Sequence, residues 1–299
     1  TVRARLAELE MGFGELNRAV RLVEEGLQTA PQDSRLLTVA GFARLTRLET
    51  KSALTLFDQA IALDSAAGLP HFGRGLALMR QNQLEESRME LQIAAHLEPT
   101  DSLFRSYLGK AFFEEKRDHL ATNEYDLARQ LDPLDPTPHL YSAFHKLANF
   151  RPVEALWDIE DSIKLNDNRA VYRSRLLLDQ DQAVRSAGLS QIFNQVGFTE
   201  AGRTEAIKSI NRDYNNFSAH LLLAGSYFDR PQLNQAVISE ELVARLLSPV
   251  NINSVRGEAS FNEYTSLFDR QRAQAFLLSE GRTADDFIQA APRITAAFD

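Results

Sequence analysis

Apolar residues along most of this chain recur every three or four positions, as Leu54, Phe57 and Ile61 do, with polar residues between them. That spacing lines the apolar side chains along one face of an α-helix. Proline returns at regular intervals, and proline cannot continue a helix, so the pattern predicts many short helices rather than a few long ones. Nothing before residue 252 reads as a run of alternating apolar and polar residues, the mark of half-buried strands.

The helices repeat with a period of 34 residues. With Gly41, Gly75 and Gly109 at the eighth place of each unit, Ala7 takes that place one period earlier. Place 20 then holds Ala19, Ala53, Ser87 and Ala121; place 24 holds Val23, Phe57, Leu91 and Tyr125; place 27 holds Gly26, Ala60, Ala94 and Ala128; place 32 holds Pro31, Ser65, Pro99 and Pro133. Small residues at three fixed places let two helices cross closely. The bulky residue at place 24 fills the space between units. Proline at place 32 ends the second helix and frees the chain to turn.

The fidelity then falls. A fifth unit, Pro136 to Arg169, has Ala143, Ala155, Ile159 and Ser162 in the key places. The register returns at Ser218, with Gly225, Val237, Ala244 and Pro249 at places 8, 20, 27 and 32. An insertion at residues 170–183 restores the count and puts a degenerate sixth unit at Val184 to Phe217, in which Gln191 and Arg203 replace the small residues. Seven units are expected.

These columns resemble the tetratricopeptide repeat (TPR), a helix-turn-helix unit of the same length. The resemblance covers residues 1–251 and implies an all-α, right-handed superhelical solenoid whose first helices line a concave face. The physics agrees, because one helix pair cannot bury its own apolar face and neighbours must stack.

Composition narrows the partners. The net charge is −8, which argues against nucleic acid, since phosphate binding needs a basic surface. The chain has no cysteine, which removes disulfides, thiolate metal sites and cysteine nucleophiles and suits an oxidising compartment. No apolar run approaches the ~18 residues of a membrane helix. The first ten residues, TVRARLAELE, carry charges throughout and show no signal core, so the chain reads as a mature or excised piece.

Catalytic and cofactor signals are weak, and no enzyme activity and no cofactor are expected. The six histidines are His71, His96, His119, His139, His145 and His220, and no HExxH motif occurs. His71 and His139 share place 4, where the family carries a large packing residue. The acid pairs Glu24–Glu25, Glu85–Glu86, Glu114–Glu115 and Glu240–Glu241 are adjacent on helices and point about 100° apart, so they do not converge. Asp179 and Asp181 match part of a calcium loop without its Gly or closing Glu and read as a helix cap. The paired glycines of GFGEL and FGRGL follow no strand and lack the third Gly of a dinucleotide loop.

In the resemblance, places 2, 5, 9 and 12 of each unit face the groove. They give an apolar stripe here, and Phe42, Phe72, Leu76, Met79, Lys110, Phe113 and Phe144 are the expected contacts for a partner protein or peptide. The competing use of the same side chains is packing between neighbouring first helices. The family's carboxylate clamp needs Lys, Asn and Arg, and those places hold Thr38, Val39, Phe42, Leu69 and Gly73, so a chaperone-tail adaptor is not expected.

Residues 252–299 leave the repeat and read either as a cap with an aromatic cluster, Phe261, Tyr264 and Phe268, or as a junction to a further domain. The stretch LSPVNINSVRGEASFNEYTSLFDRQR resembles the junction in bacterial outer-membrane proteins where a periplasmic TPR region leads into a C-terminal β-barrel, as in exopolysaccharide export. Residues 270–299 fit a helix, or apolar strands divided by a turn at Gly281. The leading expectation is a non-catalytic scaffold that binds a partner in its groove. The alternative is the periplasmic arm of an outer-membrane export or assembly protein, recruiting envelope partners or guiding a polymer; a cytoplasmic location is the alternative to the periplasm.

Overall fold

The computed structural model describes residues 2–47, 49–166, 178–227, 234–247, 275–284 and 287–296. Helices come in pairs: α1 (Val2–Gly12) with α2 (Leu16–Thr29), α3 (Ser34–Thr46) with α4 (Thr50–Leu63), α5 (Gly68–Arg80) with α6 (Leu84–Leu97), and α7 (Ser102–Glu114) with α8 (Asp118–Leu131). Next come α9 (Thr137–Ala148) with α10 (Pro152–Leu165), α11 (Leu178–Gln195) with α12 (Thr199–Arg212), and α13 (Phe217–Tyr227) with α14 (Asn234–Leu247). We call the odd helices A and the even ones B. Each helix packs on the next, and successive A helices also touch, α1 on α3, α3 on α5, α7 on α9 and α11 on α13. The B helices make no comparable contact among the described residues, so the stack closes on its A side.

The local chemistry follows the period. The A-to-B turn carries a left-handed residue at place 15: Gly14, Asn82, Lys116, Phe150 and Gly197 all have φ between +57° and +85°. An acid or amide ahead of an A helix accepts its first free N–H groups, as Asp33 does from Leu36 (3.0 Å), Asp101 from Leu103 (2.9 Å), Asp135 from Thr137 (2.8 Å) and Asn216 from Ala219 (3.3 Å). Capping thus accounts for much of the acid on the B-to-A edge.

Close crossings explain the small columns. The Ser87 hydroxyl, on α6, donates to the Gly75 carbonyl on α5 at 2.7 Å. Phe57 is fully buried in a slot between Gly41 of its own unit and Gly73 of the next; a Cβ on those glycines would lie 2.5 and 2.4 Å from the ring.

Serines also fix the sixth unit. Ser190 on α11 donates to the Gly202 carbonyl on α12 at 2.6 Å, the same crossing with the roles exchanged. Ser209 donates to Ala183 at 2.7 Å as Ser162 donates to Pro136 at 2.8 Å in the fifth unit. Ala183 is therefore place 1, and Ser190 and Gly202 hold places 8 and 20, one residue ahead of Gln191 and Arg203. The unit is not degenerate. In the seventh, the Asn216 cap puts Phe217 at place 1 and buried Ala224 at place 8, while a Cβ on Gly225 would meet nothing within 4 Å. Val237 and Ala244 are buried at the places expected for them, so the one extra residue falls between Tyr227 and Asn234. Of the 170–183 insertion, 170–177 lie outside the described residues and 178–182 open α11 ahead of place 1.

Beyond residue 247, the described residues form an antiparallel hairpin, β1 (Ala275–Ala284) with β2 (Phe287–Ala296). The strand alternative holds, but Gly281 is not its turn. It pairs with Ala290 inside the ladder, and the strands are separated at residues 285–286.

Candidate functional site

The A side of the stack is where a groove is expected. Places 5, 9 and 12 lie where successive A helices touch, and that closeness decides the fate of their side chains. Phe42, Phe72, Leu76, Met79 and Phe144 are all buried in one continuous core. The Phe42 ring sits 5.2 Å from Phe57 and 6.3 Å from Phe72. Phe72 stacks on Phe104 at 4.8 Å and meets Tyr107 edge-on at 5.1 Å, and Tyr107 meets Tyr141 at 5.0 Å. One aromatic run thus joins the second to the fifth unit, worth about 0.5–1.5 kcal/mol per pair beyond burial. Phe144 lies under α11, 3.2 Å from where a Cβ on Gly188 would stand.

Two of the expected contacts differ. Phe113 is half-buried and meets His145 edge-on at 5.4 Å. Lys110 is buried, with its ammonium 3.2 Å from Glu114 and 5.5 Å from the Tyr141 ring centre. Beside them, Leu69 and Leu103 at place 2 are half-buried. Arg35, also at place 2, is exposed and reaches back to buried Glu8 at place 9 of the first unit, 3.2 Å away. The accessible strip of the A face is therefore Leu69, Leu103 and Phe113 with charged Arg35 and Glu114, and the larger aromatic residues support it from below.

Three of the histidines are paired with acids. His71 Nδ1 lies 2.7 Å from Glu90, whose other oxygen accepts from Arg74 at 2.7 Å. His145 Nε2 lies 2.9 Å from Asp118. His220 puts Nδ1 2.6 Å from Glu240 and Nε2 3.0 Å from the Tyr214 carbonyl. His139 is half-buried; burial first, then the Arg129 charge, lowers its pKa. Adjacent acids diverge as expected: Glu114 goes to Lys110 and Glu115 to Arg88 at 2.9 Å. Asp179 and Asp181 lie within α11. Among the described residues no group of three or more His, Cys, Asp or Glu could hold a metal ion. Asp135 is buried and its pKa is raised by that burial, against the opposing hydrogen bonds from Ser102 and Thr137.

Sequence reasoning passed over one surface. Phe150 is 93% exposed in a left-handed turn, and Val153 and Trp157, the only Trp, are exposed on α10 beyond it. Only the backbone angle distinguishes Phe150, and spacing does not reveal that.

No family model matches the chain. Anaphase-promoting complex subunit 3 of Schizosaccharomyces pombe is 26% identical over 102 residues, 34% of this chain and 15% of that protein. Among solved structures, the hetero-tetramer Cut9–Hcn1 of the same complex matches 85% of this chain and 47% of its own, with a TM-score of 0.68 at 15% identity. PilW, a type IV pilus biogenesis factor, matches 71% of this chain and 92% of its own, with a TM-score of 0.53 at 17% identity. PilF of Pseudomonas aeruginosa matches 73% and 92%, with a TM-score of 0.52 at 17% identity. The chain thus spans less than half of Cut9–Hcn1 and a small part of the curated relative. Period, crossings and likeness agree: the chain has the fold of a tetratricopeptide-repeat solenoid.

Proposed function

We propose that the protein is a non-catalytic scaffold that binds a partner protein or peptide along the A face of its solenoid. The observation that carries this reading is the half-buried apolar pair Leu69 and Leu103, at place 2 of the successive A helices α5 and α7, with half-buried Phe113 at place 12 of α7. Their repeat spacing matches an extended or helical peptide laid along the stack. Phe42, Phe72, Leu76, Met79 and Phe144 shape the floor, and Lys110 with Glu114 adds a polar contact. The likeness to Cut9–Hcn1, a hetero-tetramer, supports an interaction role. The test pairs Phe113→Asp with Phe72→Asp. Phe113→Asp keeps the helical signal and the melting temperature near the parent value and abolishes capture of the cognate partner; Phe72→Asp unfolds the chain. Unchanged capture by a folded Phe113→Asp variant overturns the reading.

A second reading makes the solenoid the periplasmic arm of an outer-membrane export or assembly protein. It is favoured by the β1–β2 hairpin, whose ten-residue strands have the length of a barrel strand. In its register Glu280, Arg282 and Arg293 fall on places of one parity, and the other parity carries no charge. The likeness to PilW, a pilus biogenesis factor, points the same way. The native polypeptide in its source cells decides: a species much heavier than 33.6 kDa in an outer-membrane fraction supports this arm, and a soluble species near that mass refutes it.

A further inference from the structure

Three units carry a histidine and an acid at places 4 and 23: His71 with Glu90, His139 with Asp158, and His220 with Glu240. In the third and seventh units the two meet, Nδ1 to carboxylate, at 2.7 and 2.6 Å. In the fifth they do not, and Nδ1 of His139 is buried without a hydrogen-bond partner. Its acid is engaged elsewhere. Asp158, itself buried, accepts on Oδ2 from Ser142 Oγ at 2.6 Å, Lys146 Nζ at 2.6 Å and Arg129 Nη2 at 3.2 Å.

Arg129 is the one of these donors that belongs to the fourth unit. It stands at place 28 of α8, where the first three units carry uncharged Leu27, Ile61 and Ala95. Its contact with Asp158 is the longest of the three, and its other arm, Nη1, already lies 3.0 Å from exposed Asp126 on its own helix. Arg129 can therefore leave Asp158 and keep an acid partner.

The charges that bear on His139 are Arg129 from α8, Asp158 and Asp161 from α10, and Lys146 from α9 itself. α7 and α11 also pack on α9. The charged groups they bring are Lys110 and Glu114, which meet each other, with Lys110 over the Tyr141 ring, and Arg185, which bonds Ser162. Burial first, then the Arg129 charge, disfavours a proton on the His139 ring. A proton taken up there sets a third cation about Asp158, at a half-buried place where like charges are poorly screened. It also gives His139 a charge-assisted hydrogen bond to offer, and Oδ1 of Asp158 can accept it. The repulsion is relieved by moving the cation held at the longest distance.

We propose that the contact between the fourth and fifth units is a proton-operated latch: protonated His139 takes Asp158 as His71 and His220 face their glutamates, and Arg129 is released to Asp126. The released state binds the proton more tightly, so acid shifts the population toward it. Release uncouples α8 from α10 and changes the curvature of the stack at that point. The latch joins B helices and not the A face, so it and the partner-binding reading fail independently.

The chain has no cysteine, so two introduced spin labels report the latch directly. Asn123→Cys on α8 and Trp157→Cys on α10, both exposed at place 22, span it in the full chain. Met89→Cys with Asn123→Cys spans the contact between the third and fourth units and serves as the control. Between about pH 7.5 and about pH 5 the 123–157 pair is expected to gain a longer distance population, while the 89–123 pair keeps one distance. His139→Leu is expected to abolish the longer population, and Arg129→Gln to show it at both pH values; far-UV circular dichroism checks that each variant is folded. An unchanged 123–157 distance in the parent overturns the latch. A full acid response in folded His139→Leu overturns it too and assigns the response to another group, such as the His145–Asp118 pair between the same units. As a second measurement, the His139 ring, followed by NMR, is expected to titrate at higher pH in Arg129→Gln than in the parent; the same titration in both is contrary to the proposal.

Discussion

His71 and Glu90 meet across the third helix pair with Nδ1 2.7 Å from the carboxylate, and His220 and Glu240 meet at the same two repeat places of the seventh pair at 2.6 Å. The places are 4 and 23. In the fourth unit they hold Arg105 and Glu124, 3.3 Å apart, and in the second they hold Leu37 and Leu56. In these four units the two places hold a matched pair, base with acid or apolar with apolar, rather than one fixed residue. Glu90→Leu alone strands His71 and removes one partner of Arg74, and we expect a loss of about 1–3 kcal/mol. His71→Leu with Glu90→Leu recreates the pair of the second unit and recovers much of that loss, because a polar pair replaced as a whole leaves nothing unsatisfied. Urea unfolding of the two variants measures the difference.

The Phe57 slot tests the packing. Gly73→Ala pushes a methyl into a ring that has no space to retreat, and overpacking of this kind costs about 1–3 kcal/mol. Phe57→Leu removes ring volume on its own at a cost. Together the two changes are expected to cost less than the sum, since the smaller side chain vacates the space the methyl takes. Additive losses in a thermal-melt cycle count against the slot.

How far such contacts were legible depends on what the sequence period encodes. Gly41, Gly75 and Gly109 stand out because the crossing of A on B recurs in every unit. Gly73 serves a contact between units, and no column announces it. The sixth and seventh units were misread for a related reason. Ser190 and Gly202 exchange the roles that Gly75 and Ser87 play, so the small column is kept by hydrogen bonding rather than by residue type. Gly225 drew the register to itself although an extra residue ahead of α14 had displaced the count.

The expected groove shows the same limit. The stripe through Phe42, Phe72, Leu76 and Met79 was readable, but spacing alone does not separate a side chain facing a groove from one facing the next A helix. The contacts of Phe72 with Phe104 and Tyr107 make that distinction. Phe113, the last residue but one of α7, is half-buried, whereas Met79 at the same place of α5 is fully buried, a difference the shared place does not encode.

Phe150 holds a strained backbone without an internal return. A bulky residue at φ +57° costs about 1–2 kcal/mol relative to its ordinary region, and glycine occupies the same place in the first and sixth units without that cost. Its side chain is almost wholly exposed, so little packing is lost with it. Phe150→Gly is therefore expected to stabilise the fold by up to about 1 kcal/mol and raise the melting temperature by a few degrees. A lower melting temperature means that the ring makes a stabilising contact.

Buried Asp135 and half-buried His139 give the stability opposite slopes with pH. His139 has a lowered pKa, so the unfolded chain binds its proton more readily than the folded one. Its effect is a loss of stability as pH falls through the ordinary histidine value of about 6.5 and on toward the lowered folded value. Asp135 has a raised pKa, so the folded state holds that proton more tightly. Its contribution is fully present below the ordinary aspartate value of about 3.9 and is lost as pH rises through the raised folded value. Asp135→Asn keeps the cap on Thr137 and lets the amide donate to Ser102, whose hydroxyl then accepts, so the bonds survive and the charge does not. Its stability is expected to exceed that of the parent at neutral pH, and its profile is expected to lose the decline on the alkaline side of 3.9. His139→Leu, by contrast, is expected to flatten the profile just below 6.5. Urea midpoints taken across pH 4 to 8 for the parent and both variants separate the contributions; a neutral-pH loss of stability in Asp135→Asn means that the ionised carboxylate, not the neutral cap, is what this turn requires.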